Sequence, residues 1–316
     1  MTEKRSHHTS RFSRRRAKLR RILLRWYAER GRSLPWRATR DPYRILVSEV
    51  MLQQTQVSRV FHKYAEFLER FPTLGSVARA RASSVIRAWS GLGYNARALR
   101  LQRIAQLVAR KFDGKVPSDP NLLLTLPGIG RYTANAVACF SFGRDVPVVD
   151  TNIRRVVSRI FSRSRSTRDR VPEQSAWKLA ENLLPKGSSR DWTLALMDLG
   201  ATVCTARHPL CAVCPVGGYC ASAFLIDAEG VPHRRPRREP SHDGIPNRIY
   251  RGRIVEVLRN VNGRGSIGLR ELGVRIKTSF RRREEEWLRS LLRVLERDGL
   301  VKLVARPSGR VQVSLP

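Results

Sequence analysis

Leu126-Pro127-Gly128-Ile129-Gly130 is a proline and glycine turn set between two helical stretches. Such a turn puts glycine where a side chain would block approach, and it turns backbone N–H groups outward. The following helix adds its positive end. The combination suits a phosphate, here of a nucleic-acid backbone. Taken alone, the turn is more often a plain helix–helix connection, so the surrounding sequence has to be read with it.

On both sides of this turn, residues 20–225 carry helical periodicity. Apolar residues recur at spacings of three and four, as in Val60, Tyr64, Phe67, Leu68 and Phe71. Pro and Gly cut the pattern into short helices at Leu34-Pro35, Phe71-Pro72, Gly91-Leu92-Gly93 and Val116-Pro117. The best strand candidate is Val146-Pro147-Val148-Val149, and its proline argues against it. The region reads as all-α. Residues 1–19 form a basic arm, expected to be disordered. Residues 226–247 form a basic linker rich in Pro, Arg, Gly and His. Residues 248–316 read as a small α+β unit with three helices, at 249–258, 269–276 and 281–298. Two strands follow, at 301–304 and 311–315, around Pro307-Ser308-Gly309. That order is winged-helix-like, and Arg281, Arg282 and Arg283 at the start of its third helix suggest a DNA contact.

The composition points the same way. The chain has 316 residues with 61 Lys+Arg against 26 Asp+Glu, a formal charge of +35. Only nine of the basic residues are lysine. A coding preference for arginine would explain Arg over Lys, but not the shortage of acids. An excess this large calls for a polyanionic partner. A hydrophobic fraction of 41% excludes disorder along the whole length. No apolar run approaches the roughly 18 residues of a membrane span. The basic N-terminal residues precede no apolar stretch of the secretory type, and an intracellular, cytoplasmic protein is expected.

Four of the five cysteines, Cys204, Cys211, Cys214 and Cys220, follow the spacing C-x6-C-x2-C-x5-C. In an intracellular chain this spacing reads as a metal site, either structural zinc or an iron–sulfur cluster. Cys139 stands apart in an apolar stretch and reads as a small core residue. Two carboxylates are candidates for chemistry. Glu49 lies among apolar residues on a helix, where burial suits a carboxyl to donate a proton. Asp150 precedes Thr151-Asn152 and would be an N-cap in the bland reading. As an anion it would stabilise positive charge on a sugar, and an acid with an anion fits cleavage of a bond to a sugar.

Several motifs occur together: Leu34-Pro35-Trp36-Arg37, Asp41-Pro42-Tyr43, Ser48-Glu49-Val50-Met51-Leu52-Gln53-Gln54-Thr55-Gln56-Val57 and Gly91-Leu92-Gly93-Tyr94 with Ala96-Arg97-Ala98. Residues 126–133, Val149-Asp150-Thr151-Asn152, Met197-Asp198-Leu199-Gly200-Ala201 and the four cysteines complete the set. In order and content they resemble the MutY family of adenine DNA glycosylases, within the helix-hairpin-helix superfamily that also holds endonuclease III and mismatch thymine glycosylases. The resemblance implies a two-lobed all-α fold and a 4Fe–4S cluster on Cys204, Cys211, Cys214 and Cys220, with Arg207 and His208 in a basic loop. It implies a monomer acting on double-stranded DNA that contains a mismatch or oxidised base, associated with the nucleoid. The target base would be flipped out of the duplex. By the same resemblance Glu49 protonates the adenine and Asp150 stabilises the oxocarbenium ion, supported by Tyr132 and Asn152. Gln54 and Tyr94 enter the base stack, Thr55 contacts the opposite base, and Gly128 and Gly130 sit at the DNA backbone. Endonuclease III has a lysine where this chain has Tyr132. A tyrosine cannot form a Schiff base, so a monofunctional glycosylase is expected.

The chain also departs from the family pattern. Residues 248–316 resemble the ending of some actinobacterial short forms rather than the NUDIX-like domain of well-studied members. Leu194 replaces a polar residue that contacts adenine, and Asn95 replaces a frequent second tyrosine. Two other functions are compatible with the same sequence: removal of thymine or uracil opposite guanine, and non-catalytic DNA binding. Gln53-Gln54-Thr55 and Glu49 favour adenine, and the presence of both carboxylates disfavours an inactive relative.

Overall fold

The computed structural model describes residues 2–166, 169–226, 239–261, 265–305 and 311–316, with residues 2–13 as backbone. In chain order the helices are α1 (Thr2–Arg30), α2 (Pro42–Leu52), α3 (Val57–Arg70), α4 (Leu74–Arg79), α5 (Ala82–Ala88), α6 (Ala96–Lys111), α7 (Pro120–Leu124), α8 (Arg131–Phe142), α9 (Thr151–Phe161), α10 (Glu173–Leu183), α11 (Ser189–Asp198), α12 (Asn247–Arg259), α13 (Leu269–Ile276) and α14 (Glu285–Arg297). The strands are β1 (Ser241–His242), β2 (Ile245–Pro246), β3 (Ile267–Gly268), β4 (Lys302–Ala305) and β5 (Val311–Ser314). The all-α reading with a small C-terminal sheet therefore holds. Residues 146–149 are not a strand. No helix among the described residues is long and apolar enough to cross a membrane.

Local chemistry sets the helix ends. Asp119 caps α7 by accepting from Asn121 N–H, with Pro120 at the first helical position. Thr73 and Ser76 form a capping box on α4. The turn at 126–130 bends at Gly128, whose φ of 74° favours glycine. Gly130 then caps α8, and Gly143 closes that helix in the left-handed region.

The chain forms two compact units and passes between them repeatedly. One comprises Met1–Ile45, Pro117–Thr125 and Ile129–His233; the other comprises Leu46–Val116, Leu126–Gly128 and Arg234–Pro316. The first unit buries Leu19 and Leu23 of α1 against Ile153, Val156 and Ile160 of α9, Trp177 of α10 and Trp192 and Leu196 of α11. Helix α1 begins at Thr2 and takes in the basic arm. Its arginines satisfy carbonyls that helix ends leave open. Arg15 Nη2 donates to Tyr219 O at 2.5 Å and to Ile160 O at 3.3 Å. Arg16 donates to Asn182 O, and Arg20 to Leu183 O and Leu184 O, at the end of α10.

In the second unit, residues from the 20–225 segment pack with residues of 248–316. Ile86 of α5 and Leu99 of α6 share one core with Tyr250, Ile254 and Leu258 of α12, Leu272 of α13, and Leu288 and Leu292 of α14. The three helices of the winged-helix unit stand where the periodicity puts them. Its sheet has the order β3-β5-β4, antiparallel throughout, with Leu303 opposite Val313 and Val313 opposite Ile267. β3 adds a third strand to the expected two. The expected turn at 307–309 lies outside the described residues, as do 227–238 of the expected linker. Residues 241–246 of that linker are a hairpin with His242 opposite Ile245. Its two turn residues, Asp243 and Gly244, have φ of 48° and 75°, the pattern that favours Asp-Gly between strands.

Candidate active site and cysteine cavity

In the first unit, the carboxylate of Asp150 caps α9. Its Oδ1 accepts from Ile153 N–H at 2.6 Å, and its Oδ2 accepts from Asn152 Nδ2 at 2.9 Å. Arg155 Nη2 donates to Asn152 Oδ1 at 2.8 Å and to Gly200 O at 2.7 Å, while its Nε donates to Cys204 O at 2.9 Å. Asp150 is thus the N-cap of α9, as its place before Thr151-Asn152 suggests. The helix start orients one oxygen, and Asn152, itself held by Arg155, orients the other. Burial pushes the Asp150 carboxyl above its ordinary range; the N–H of Ile153, the Asn152 amide and the Arg155 charge oppose this without reversing it. Gly200 is required for the approach, since a Cβ there would stand 2.8 Å from Asn152 Cβ. Tyr132 is half-buried in the first turn of α8. One turn on, Asn135 Nδ2 donates to Pro147 O at 2.7 Å and fastens to α8 the extended run that leads to Asp150.

In the second unit, Glu49 is 5% exposed on α2, with Ser48 and Val50 also buried. Beyond α2, Gln54 adopts φ of 55°, and in the 91–95 loop Tyr94 adopts 45°. Left-handed backbone at two non-glycine residues is stored strain that the surroundings must hold. Arg97, 4% exposed, holds it. Its guanidinium donates to Val50 O, Met51 O and Gln53 O on one side and to Leu92 O and Gly93 O on the other, at 2.5–3.1 Å. It also donates to Thr55 Oγ1 at 2.8 Å, and the Thr55 hydroxyl donates to Leu92 O at 3.2 Å. Thr55 therefore ties the two loops together. Gln54 and Tyr94 stay exposed on one groove wall. Burial lowers the Arg97 pKa to about 10, so the charge persists at neutral pH. Arg97→Lys keeps the charge but has three donors and no fork. Losing about 2 kcal/mol of charge-assisted bonding should lower the thermal midpoint by about 4–8 °C. An unchanged midpoint in a melting curve would mean that other contacts hold the loops.

Gly128 lies under the stem of Arg100, whose Cδ would be 2.1 Å from an added Cβ, whereas a Cβ at Gly130 would meet open space. Leu194 is buried on α11. A buried ion group completes the first unit. Asp198, 0% exposed, accepts from Arg32 Nε at 2.7 Å and from Arg37 Nη1 and Nη2 at 2.7 and 2.8 Å. Sequence reading placed Arg97, Arg37 and Asp198 inside motifs but gave them no role. Their signal was a charged residue fixed within otherwise apolar runs.

The four clustered cysteines, none in a disulfide, line one cavity with Arg159, Pro209 and Leu210. Arg159, 2% exposed, donates to Cys204 Sγ at 3.4 Å and to the carbonyls of Thr205 and Ala206. Cys139 is wholly buried elsewhere. Burial pushes the Cys214 thiol up to about 11 and raises Cys220, so thiolates in this cavity call for a cation. One tetrahedral zinc would draw its sulfurs to about 3.8 Å of one another at Zn–S distances near 2.3 Å. Among the described residues the group gathered tightly enough for a single ion is His242, Asp243 and Glu284, not the cysteines. Lys277 already pairs with both carboxylates of that group. Four sulfurs lining one largely apolar cavity are the donor set of a four-thiolate metal centre, and an iron–sulfur cluster fits it.

Residues 47–182 match the HhH-GPD superfamily of base excision DNA repair proteins, and 204–220 match the iron–sulfur binding domain of endonuclease III. The adenine DNA glycosylase of Mycobacterium tuberculosis is 45% identical over 242 residues, covering 75% of this chain and 77% of that protein. The chain belongs to the adenine DNA glycosylase family. The Mycolicibacterium smegmatis adenine DNA glycosylase is 45% identical over 75% of this chain and 79% of its own length, and the human one 40% identical over 66% and 40%. The solved structure of a thermostable thymine-DNA glycosylase superposes with a TM-score of 0.62 at 33% identity, covering 66% of this chain and 97% of that one. Endonuclease III in a non-covalent DNA complex shares the fold, with a TM-score of 0.56 over 66% of this chain and 96% of that one. As an adenine DNA glycosylase family member this is a base-excision repair enzyme, its partner is DNA, and its cofactor is a 4Fe–4S cluster rather than zinc.

Proposed function

We propose that this protein is a monomeric, monofunctional glycosylase that removes adenine mispaired with 8-oxoguanine or guanine from double-stranded DNA. The observation that carries the substrate is the 45% identity to adenine glycosylases over three quarters of the chain. The cluster sits on Cys204, Cys211, Cys214 and Cys220 and serves as structure, fixing the loop of exposed Arg207 and His208 beside the DNA backbone. The substrate places the protein at the nucleoid, in the cytoplasm.

The chemistry follows from the residues. Glu49 gives its proton to the flipped adenine, so the bond from C1′ to the base nitrogen breaks with its electron pair leaving on a neutral base. Positive charge develops on the sugar, and ionised Asp150 stabilises it. Asn152 keeps the carboxylate aimed, and Tyr132 supports the centre. Water then adds to C1′ and gives up a proton, leaving an abasic site. Tyr132 offers no amine, so the strand stays intact. Gln54 and Tyr94 fill the stack around the target, with Thr55 near the opposite base and Gly128 and Gly130 at the backbone.

The test is a panel of duplexes bearing 8-oxoguanine:A, G:A, G:T and G:U, each analysed with and without alkali. Alkali-dependent cleavage at A opposite 8-oxoguanine or G is the expected result. Cleavage only at T or U would move the enzyme to the mismatch thymine glycosylases. Cleavage without alkali would refute the monofunctional reading.

A further inference from the structure

The groove that holds Gln54 and Tyr94 has a second wall, and that wall comes from the winged-helix unit. Arg248, Ile249, Arg251 and Gly252 in the first half of α12 line it, facing a set that includes Arg59 and Arg100. Both walls belong to the second compact unit. They are also joined directly. Arg259, 8% exposed, donates to Ile86 O at 3.0 Å and to Asn95 Oδ1 at 2.8 Å. Arg87 donates to Val261 O, and Ser83 N–H to the Pro316 carbonyl. Asn95 directly follows Tyr94, so the loop that presents Tyr94 is tied to α12.

The chemistry of the groove is that of a nucleic-acid surface. Four arginines with accessible side chains line it, Arg59, Arg100, Arg248 and Arg251, with the buried Arg97 behind them, against two acidic residues, Glu239 and Asp298. Tyr94 is 60% exposed and Ile249 42% exposed, apolar surface suited to sugars and base faces. The third helix of the same unit is mixed in charge, and the groove lining includes its far end, at Leu295 and the adjoining Asp298. α14 opens on Glu285 and Glu286 directly after Glu284, carboxylates that repel phosphate. Arg281, Arg282 and Arg283 are not among the groove residues.

We infer that duplex DNA occupies this groove and that the winged-helix unit grips the sugar–phosphate backbone through Arg248 and Arg251 of its first helix, not through its third helix. Arg248 is currently shared with Glu239, whose carboxylate is ion-paired to it and accepts its backbone N–H. DNA phosphate competes with Glu239 for that guanidinium. The inference rests on the glycosylase reading only in taking DNA as the ligand.

The test uses full-length, cluster-loaded protein and fluorescence anisotropy with an undamaged duplex and an 8-oxoguanine:A duplex, each across a salt series. Arg248→Glu with Arg251→Glu should raise Kd at least tenfold for both duplexes. It should also flatten the slope of log Kd against log salt by about 2, one phosphate per arginine. Arg282→Glu with Arg283→Glu should leave Kd within twofold. Glu239→Gln frees Arg248 and should tighten binding two- to threefold; it removes one negative charge, places no like charges side by side, and serves where the double reversal fails to fold. Equal losses in both arginine pairs, loss confined to Arg282 and Arg283, or no change in the groove variants, Glu239→Gln included, would each overturn the inference. Excision by the unaltered protein is scored in the same preparation. Failure there refutes the adenine reading, while the binding order of the variants still decides the groove.

Discussion

Glu49→Gln is expected to lower the single-turnover excision rate by roughly 10²–10⁴-fold, the span of a lost general acid, while leaving duplex affinity within about twofold. The amide has the shape of the carboxyl and suits the buried position on α2, but it has no proton to give to a leaving base. The companion variant Asp150→Asn should match that loss of rate by a different route. Asparagine is as good an N-cap as aspartate, so α9 keeps its start and the fold survives. What disappears is the negative charge. Burial raises the Asp150 pKa, so the neutral form is favoured more in the folded chain than in the unfolded one. The ionised carboxylate therefore costs folding stability above its unfolded pKa, and Asp150→Asn should be neutral or slightly stabilising at pH 7. In the unaltered enzyme, activity should fall with falling pH already above the ordinary aspartate range, as Asp150 takes up its proton. Titrating the single-turnover rate, with binding measured in parallel, checks all of this. If Glu49→Gln loses binding as fully as excision, Glu49 is structural and the acid lies elsewhere.

What was legible in the sequence was what local chemistry determines. The turn at 126–130 and the cap at Asp150 are written in glycines, a proline and an aspartate whose backbone demands are local. The cysteine spacing announced its cavity, and the apolar stripe of α14 announced its buried face. What was not legible shares a physical cause. Residues 1–19 look disordered because their charge hides the periodicity of Leu19 and Leu23, yet Arg15, Arg16 and Arg20 are satisfied by carbonyls more than 140 positions away. The Asp-Gly turn of the β1–β2 hairpin was masked by the polar composition of the linker around it. The division into units was invisible because it depends on which apolar faces meet: Ile86 and Leu99 look no different from other helical core residues, and only packing assigns them to the core of α12 and α14. Thr55 was legible as a motif residue, but its tie between loops rests on a guanidinium that arrives from α6. Burial likewise decides Arg97, since an arginine in a chain this basic reads first as surface.

Asp198→Asn should give the largest loss of stability, about 3–5 kcal/mol for breaking a buried ion group, or roughly 6–20 °C in the thermal midpoint. The side chain is 0% exposed and accepts four N–H donors, from Arg32 Nε, the Arg32 backbone and both Arg37 terminal nitrogens. An asparagine turns an NH2 toward donors, so at least one nitrogen on each side loses its acceptor. The two arginines differ in their escape. The Arg32 side chain is 32% exposed and can turn to water, whereas that of Arg37 is 9% exposed and cannot. Arg37→Ala should therefore cost more than Arg32→Ala. Burial by itself would raise the Asp198 pKa, but the bonds from Arg37 and Arg32 outweigh it and the net shift is downward. A lowered folded pKa means that this stabilisation is complete above the unfolded aspartate pKa and is lost as pH falls through the folded one. Unfolding midpoints measured from pH 7 downward should converge between the unaltered protein and Asp198→Asn below the ordinary aspartate range; parallel curves would remove Asp198 from the acid limb. The effect should also reach the chemistry. Asp198 ends α11, and the next turn, Leu199–Val203, presents Gly200 O to Arg155, which holds Asn152 against Asp150. Loosening Asp198 should lower the excision rate at temperatures where the variant is still folded, and Asp198→Glu should not restore it, because the longer carboxylate cannot meet both arginines from a fully buried site.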